Sequence, residues 1–294
     1  MRFSISGLKG FSYAILSSAT FGLIPLLALP VVAAGMNTAS VLFYRFAISA
    51  LLMGLITVVK RSTFRITAKE SVFIFLLGFF YAATALLLLD AYTFIPSGIA
   101  TTIHFLYPVM VALIMILFFK EKKSGALFLA ILLSLGGVAF LSWNGEASLN
   151  YKGVTAALSS IFTYALYIVG IHKSDVKRMD EYTLTFYILL SSAFFFLVNV
   201  LFTGGVQPIP DIKSGISIFL LALLPTVVSD LALVLAIKHI GSTTTSVLGS
   251  MEPLTAVALG VAVFNEPFDM KTFIGIACIL VAVFVVIMNK QVKS

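Results

Sequence analysis

The sequence has 294 residues, of which 60% are hydrophobic and only 11% are charged, and its mean hydropathy is +1.11. A water-soluble globule of this size needs more polar material for its surface, so the composition excludes a soluble protein and indicates a bilayer as the solvent. The net charge of +7 must therefore be assigned loop by loop, and the one cysteine, Cys278, excludes a disulfide within the chain and a multi-thiolate metal site.

Ten apolar spans follow one another along the chain, each close to the roughly 20 residues that a helix needs to cross the hydrocarbon. They are predicted at 10–33, 39–59, 71–92, 97–119, 124–143, 153–173, 182–202, 214–238, 243–264 and 270–289. The first follows Arg2 and Lys9 and is longer than the roughly 7–15 apolar residues of a cleaved signal segment, so we treat it as a membrane span.

Positive charge in the loops predicts the orientation of these spans. Fifteen Lys and Arg residues fall at the termini and in the loops after even-numbered spans, whereas the other side holds only Lys152, Lys213 and Lys271. Because cytoplasmic loops carry the excess of Lys and Arg, we expect a multi-pass protein of the cytoplasmic (inner) membrane with both termini in the cytoplasm. We expect the juxtamembrane basic residues to orient the helices; the alternative is that they also attract anionic lipid.

The fourth span has a second copy later in the chain. At a constant offset, Ser97, Pro108, Phe119 and Glu121 recur as Ser242, Pro253, Phe264 and Glu266. Each half then holds five spans, and a tandem copy of an odd number of spans enters the membrane in the opposite orientation. The sequence therefore predicts an all-α membrane protein of ten transmembrane helices, built as two inverted-topology repeats at residues 1–148 and 149–294.

A proline interrupts each copy close to the middle of the membrane. Proline has no amide hydrogen, so Pro108 frees the carbonyl of His104 and Pro253 frees that of Gly249. A free carbonyl at this depth is tolerated only where protein or a water-filled cavity satisfies it. Paired interruptions at matching positions of two repeats favour a substrate site; the alternative is that they only curve helices packed on their neighbours.

Polar residues that differ between the two halves are the candidates for chemistry. An ionisable group inside the bilayer costs about 3 kcal/mol on insertion scales, so a scaffold duplicated only for packing gains nothing from one. The aligned pairs are His104 with Gly249, Tyr107 with Glu252, Arg45 with Ile188, and Asp230 with Ala85.

Glu252 is the leading candidate. It directly precedes Pro253 near the midplane, where a carboxylate can bind a substrate amine, take a coupling proton or pair with a cation. The alternative is a protonated acid that hydrogen-bonds a neighbouring helix. Asp230 is expected nearer the cytoplasmic side of the eighth span, and functional and packing roles are both open for it.

Arg45 lies about six residues inside the outer end of the second span. From there it either snorkels to the surface or turns inward to pair with Glu252 or Asp90 as a gate or carboxylate anchor. His104 is expected to be a donor, an acceptor or a proton-relay member, or else a satisfied core histidine. Ring faces and hydroxyls for a ligand are expected from Tyr164 and Tyr167, together with Tyr44 and Tyr81, and Tyr107 is a further candidate. The alternative is that these rings face lipid or only pack in the core.

Several short motifs together resemble one family of membrane proteins. In chain order they are Arg45-Phe46, Tyr107-Pro108, Lys120-Glu121, Tyr164-Ala165-Leu166-Tyr167, Glu252-Pro253 and Asn265-Glu266-Pro267. With the doubled five-span pattern, they resemble the EamA-type members of the drug/metabolite transporter superfamily. Thr20-Phe21-Gly22 departs from the family, which often has Trp-Gly there. The resemblance implies secondary transport, often export, of small metabolites through a central cavity.

No motif in the sequence indicates an enzyme, a cofactor or a metal site. Walker, His-Glu-x-x-His and Cys-x-x-Cys motifs are absent, the three histidines are scattered, and nothing beyond juxtamembrane charge supports nucleic-acid binding. We therefore predict a non-enzymatic secondary transporter, an exporter of small metabolites such as amino acids or amines, that works by alternating access as a monomer or homodimer. Protons are the candidate coupling ion, with Glu252 as the leading residue for this role.

Two other classes remain open at this stage. A nucleotide-sugar or phosphorylated-metabolite exchanger would need several inward-facing Lys or Arg residues, and Arg45 is the one that lies within a span. A non-transporting scaffold or intramembrane enzyme is the second alternative; Ser250 beside Glu252 is the nearest approach to a nucleophile and base, and the two do not share a helix face.

Overall fold

The computed structural model describes residues 5–95, 97–122, 124–142, 150–255 and 270–292. Within these ranges every regular element is a helix. Helical stretches long and apolar enough to cross a bilayer are Gly7–Ala33, Thr38–Val59, Ala68–Phe94, Tyr151–Lys173, Glu181–Phe202 and Ile212–Ile240. Shorter apolar helices are Tyr107–Phe119, Gly125–Gly137 and Phe273–Val285. The prediction of an all-helical, multi-pass membrane protein is confirmed.

In the first half the helices are α1 Ile5–Phe21, α2 Ile24–Ala33, α3 Thr38–Val59, α4 Ala68–Phe94, α5 Ser97–His104, α6 Tyr107–Phe119 and α7 Gly125–Ser142. In the second half they are α8 Tyr151–Lys173, α9 Glu181–Phe202, α10 Ile212–Ala222, α11 Ser229–Ile240, α12 Ser242–Leu248 and α13 Met270–Val292. The predicted end of the ninth span, with Phe264, Asn265, Glu266 and Pro267, and the boundary at 148–149 lie outside the described residues.

Polar side chains begin several of these helices. At the start of α4, Thr67 and Glu70 form a reciprocal capping box, in which each side chain accepts a hydrogen bond from the other's backbone amide. Asn37 and Asp180 cap α3 and α9 by accepting backbone hydrogen bonds in the same way. Such caps satisfy amides that have no partner within the helix, so the short polar loops fix where each helix starts.

Three of the predicted spans are interrupted rather than continuous. The first breaks between α1 and α2, the fourth breaks between α5 and α6 just before Pro108, and the ninth leaves the helix at Gly249 and Ser250 and resumes over 251–255. The eighth span stays helical but widens into the π-helical turn Leu223–Val228, which contains Pro225. Each irregularity lies beside a proline, which cannot donate the usual backbone hydrogen bond.

Helices of the two halves interlock rather than lying side by side. The most extensive packing joins α7 with α13, α4 with α8, α3 with α9, and α1 with α11, and α6 also packs on α12. Large apolar side chains such as Leu51, Phe118 and Phe202 cover the outside, where a bilayer can surround them. The charged residues Arg45, Asp230 and Glu252 are buried in the interior.

Candidate functional site

Arg45 projects from α3 into the interior of the protein. The residue is only 2% exposed, its Nε donates a hydrogen bond to Thr226 Oγ1 at 2.7 Å, and its Nη2 donates to the carbonyl oxygen of Pro225 at 3.4 Å. The side chain therefore turns inward instead of snorkelling. The guanidinium also hydrogen-bonds the hydroxyl of Tyr81 on α4. All of these partners are uncharged groups, and neither Glu252 nor Asp90 is among them.

The π-helical turn Leu223–Val228 is what receives this guanidinium. Proline removes an amide donor and the wide turn disturbs the regular ladder, so carbonyl groups here need other partners. Thr226 Oγ1 donates to the carbonyl of Leu221 at 2.7 Å, and Ser49 Oγ donates to that of Ala222 at 3.0 Å. Thr226 thus uses its proton on the backbone and presents a lone pair to the guanidinium.

Sequence reasoning missed Thr226 and Ser49. The available signal was Pro225, a proline inside an apolar span that is followed at once by a hydroxyl side chain. The prediction weighed only the prolines that recur in both halves, and Phe80 occupies the matching position in the first half. A proline without a counterpart is therefore as informative here as a paired one.

Asp230 of α11 lies one helical turn beyond Thr226 and is 1% exposed. Its Oδ1 accepts a short hydrogen bond from the hydroxyl of Tyr167, and its Oδ2 has no hydrogen-bond partner among the described residues. Asp230 and Arg45 interact electrostatically but do not form a direct ion pair. We call Arg45, Tyr81, Tyr167, Thr226 and Asp230 the arginine cluster.

A row of tyrosine rings leads away from this cluster. Tyr81 stacks on Tyr167 with ring centroids 4.8 Å apart, Tyr167 lies 6.1 Å from Tyr164, and Tyr164 meets Tyr107 edge to face at 4.7 Å. These separations are typical of interacting aromatic pairs. The row connects α4 and α8 with the break in the fourth span.

Glu252 lies at the far end of this row, directly after the break in the ninth span. It is 5% exposed, and no hydrogen bond or ion pair to a described residue engages its carboxylate. The carboxylate of Glu252 interacts electrostatically with Tyr92, Tyr107 and Tyr164. We call Glu252, His104, Tyr107 and Tyr164 the glutamate cluster.

Two glycines allow the interrupted helices to meet at this cluster. A Cβ atom added to Gly22 would lie 2.5 Å from the carbonyl oxygen of Glu252, and one added to Gly249 would lie 1.7 Å from the hydroxyl oxygen of Tyr107. Neither position has room for a side chain. The breaks of the first and fourth spans thus both pack against the break of the ninth.

His104 ends α5 and is completely buried. Its Nδ1 lies 2.7 Å from Ser160 Oγ of α8, its Nε2 has no hydrogen-bond partner among the described residues, and its ring lies 5.4 Å from that of Tyr107 and 5.3 Å from that of Tyr164. Among the described residues, therefore, only one of the two ring nitrogens, Nδ1, has a hydrogen-bond partner.

A cavity of about 10 Å³ lies beside the arginine cluster. Phe21, Arg45, Tyr81 and Tyr92 are among its lining residues, whereas His104, Tyr107 and Glu252 are not. This is about the smallest space that holds one water molecule, so a metabolite can enter only if helices move apart. Tyr92 links the two clusters, because it lines the cavity and interacts electrostatically with both Arg45 and Glu252.

The candidate residues from the sequence thus fall into two groups. His104, Tyr107, Tyr164 and Glu252 come together at the helix breaks, and Arg45, Tyr167 and Asp230 come together at the π-helical turn. Asp90 belongs to neither group, since it is half-buried near Thr38 at the start of α3. Asp230 lies beside the guanidinium, although the sequence placed the two side chains toward opposite sides of the membrane.

Comparison with known proteins matches both halves of the chain to one family of transporters. The model of the EamA-like transporter family matches residues 8–143 and again residues 151–288. The uncharacterized transporter YetK of Bacillus subtilis is 24% identical over 260 residues, which cover 84% of this chain and 77% of that protein. An uncharacterized transporter of Archaeoglobus fulgidus is 22% identical over 258 residues, covering 84% of this chain and 87% of the relative.

A solved crystal structure shares the fold. It superposes with a TM-score of 0.80 at 17% sequence identity and covers 96% of this chain and 97% of its own. At this identity the similarity concerns the arrangement of helices and not the substrate.

Proposed function

We propose, from the premise that this chain belongs to the EamA-like transporter family, that it exports amino acids or amines across the cytoplasmic membrane. The observation that carries this substrate class is Glu252, a buried carboxylate beside tyrosine rings with no bonded partner among the described residues. Such a group must be neutralised by a proton or by a bound cation. An ammonium ion is attracted both by the carboxylate and by the ring faces.

Arg45 supplies the second contact for an amino acid. A guanidinium carries five N–H donors, and only Nε and Nη2 of Arg45 are engaged with the π-helical turn. The guanidinium also hydrogen-bonds Tyr81 and lines the small cavity. In this proposal the donors that these partners leave unused receive the carboxylate, a group that guanidinium ions bind well. An amine without a carboxylate would bind through the glutamate cluster alone.

Alternating access would come from two inverted repeats of five spans, residues 1–148 and 149–294, that rock against each other. The separate matches of the family model to the two halves support this division. So does the packing, because α4 on α8 and α1 on α11 are the pairs that a two-fold relation between the repeats would exchange. Glu252 would carry a proton inward when it has released the substrate outside.

Loop charge supports cytoplasmic termini for this carrier, which would act as a monomer or homodimer. A nucleotide-sugar or phosphorylated-metabolite exchanger fits less well, because Arg45 is the only fully buried Lys or Arg among the described residues. An intramembrane enzyme fits less well too, because Ser250 Oγ donates to the carbonyl of Val247 instead of pairing with Glu252.

The test uses three matched probes in proteoliposomes that contain the purified protein. L-Phenylalanine carries an ammonium and a carboxylate, phenethylamine only the ammonium, and 3-phenylpropanoate only the carboxylate. We expect saturable uptake of the first two, stimulated by a proton gradient, and negligible uptake of the third. Uridine diphosphate glucose serves as the probe for the exchanger.

Glu252→Gln should abolish uptake of both ammonium probes, while the matched control Asp90→Asn, an acid outside both clusters, should retain it. Equal loss in both variants, or loss in neither, would contradict the assignment of the site. Uptake of 3-phenylpropanoate or of the nucleotide sugar instead of the ammonium probes would contradict the substrate class.

A further inference from the structure

We propose that Ser160 holds the His104 imidazole in one tautomer, so that its bare Nε2 accepts an N–H hydrogen bond from the substrate ammonium that Glu252 neutralises. Ser160 is then a positioning residue and His104 a specificity-determining residue. The ligand half of this inference rests on the proposed function. The tautomer itself does not.

The position of the proton follows from the bonds of Ser160. A serine hydroxyl has one proton to donate and two lone pairs. Ser160 Oγ lies 2.6 Å from the carbonyl oxygen of Ala157, which can only accept, and 2.7 Å from His104 Nδ1. Both contacts are satisfied together only if the hydroxyl donates to Ala157 and accepts from Nδ1–H. A neutral imidazole with its proton on Nδ1 has an unprotonated Nε2.

This Nε2 is an acceptor without a donor. It is completely buried and has no hydrogen-bond partner among the described residues, a situation that is rare for buried polar atoms and that needs an explanation. Water or a ligand that brings an N–H or O–H group supplies the missing bond.

The surroundings favour an ammonium ion as that donor. The ring of His104 packs against Tyr107 and Tyr164. Both of these tyrosines interact electrostatically with Glu252. The cluster thus combines a carboxylate, an imidazole lone pair and ring faces, and it includes no lysine or arginine. It matches a cation that carries N–H groups, whereas a trimethylammonium ion has the charge but no hydrogen to donate.

Ser160→Ala removes the acceptor for Nδ1–H, so the proton is no longer held there and Nε2 no longer presents a fixed lone pair. Ser160→Thr keeps the hydroxyl. Ser192→Ala is the matched control, because Ser192 is an equally buried serine whose Oγ bonds to the carbonyls of Gly78 and Ile188, which belong to neither cluster.

The first experiment reads the tautomer without any ligand. Nitrogen-15 NMR of the full-length protein labelled at histidine, with signals assigned by His104→Gln, should show a protonated Nδ1 and a bare Nε2 for His104. We expect the same pattern in Ser160→Thr and Ser192→Ala and its loss in Ser160→Ala. A proton on Nε2 in the unaltered protein would overturn the proposal.

The second experiment measures competition of phenethylamine and of its N-trimethyl derivative against uptake of labelled phenethylamine. We expect the primary amine to compete at least about tenfold better, equivalent to about 1.4 kcal/mol. In Ser160→Ala this preference should collapse through a raised KM for phenethylamine, with kcat little changed, and Ser160→Thr should restore it. An unchanged preference in Ser160→Ala overturns the role of Ser160. If phenethylamine is not transported at all, the proposed function and the ligand half fail together, and the NMR result still decides the tautomer.

Discussion

The two clusters at either end of the tyrosine row differ in whether their ionisable side chains have hydrogen-bond partners. In the arginine cluster, Arg45 donates hydrogen bonds to Thr226 and to the carbonyl of Pro225 in the π-helical turn. Asp230 accepts a hydrogen bond from Tyr167 of α8. In the glutamate cluster, Glu252 is as deeply buried but has no bonded partner among the described residues. The first cluster contains charges of both signs, and the second contains an acid alone.

This difference separates two uses of buried charge. The bonds of the arginine cluster join α3, α8 and the eighth span, so removing one member leaves others unsatisfied and should weaken the fold. In the glutamate cluster, Glu252 and Tyr107 make no such bond to a described residue, so changing either of them should cost little stability and should instead affect what the cluster binds. Stability and transport should therefore respond differently in the two places.

Arg45→Met should give the largest loss of stability. It leaves Thr226 and the carbonyl of Pro225 without their donor, and each buried acceptor left unsatisfied costs about 1–3 kcal/mol. It also removes the positive charge that interacts electrostatically with Asp230. The measurement is the thermal unfolding midpoint in detergent micelles. Adding Asp230→Asn should recover part of the loss, because the isolated negative charge is then gone. A single variant as stable as the unaltered protein would contradict a structural role for the cluster.

The same chemical change can be made in both clusters. Tyr167→Phe removes the donor to Asp230 and should cost about 1–3 kcal/mol, the usual price of an unsatisfied buried acceptor. Tyr107→Phe removes a hydroxyl for which no hydrogen bond to a described residue is found, and should change stability by less than about 0.5 kcal/mol. Unfolding of both variants in one denaturant series checks this; equal losses would mean that the two clusters do not differ.

The sequence was sufficient for the helical membrane fold, because apolar length and loop charge depend on residue type alone. It also identified Glu252 and His104 as candidates, since an ionisable group in an apolar span is conspicuous, and their roles stay predictions. It could not show that Asp230 lies beside Arg45, because that depends on how α3 packs against a span far along the chain. Thr226 and Ser160 act through single lone pairs, and nothing in their sequence context distinguishes them from other buried hydroxyls.

The smallest effect is expected at the exposed ion pair that Lys69 forms with Asp175 at 2.5 Å. The hydrogen bond and charge of Lys69 lower the pKa of Asp175. A lowered pKa means that the contribution to stability is present at neutral pH and is lost as the pH falls through the folded-state value. Asp175→Asn should therefore lower the unfolding midpoint slightly at neutral pH and not at all in acid. A larger effect in acid would have the wrong sign.

The most direct test of the distinction between the clusters is the shift that phenethylamine produces in the thermal unfolding midpoint of three proteins. A ligand that binds only the folded state at 100 times its Kd stabilises it by about 2.7 kcal/mol. Glu252→Gln should unfold at or above the temperature of the unaltered protein and show no shift, because it keeps the fold and loses the charge. Arg45→Met with Asp230→Asn should unfold at a lower temperature and keep the shift. A shift that persists in Glu252→Gln, or that disappears only in the double variant, would contradict the account.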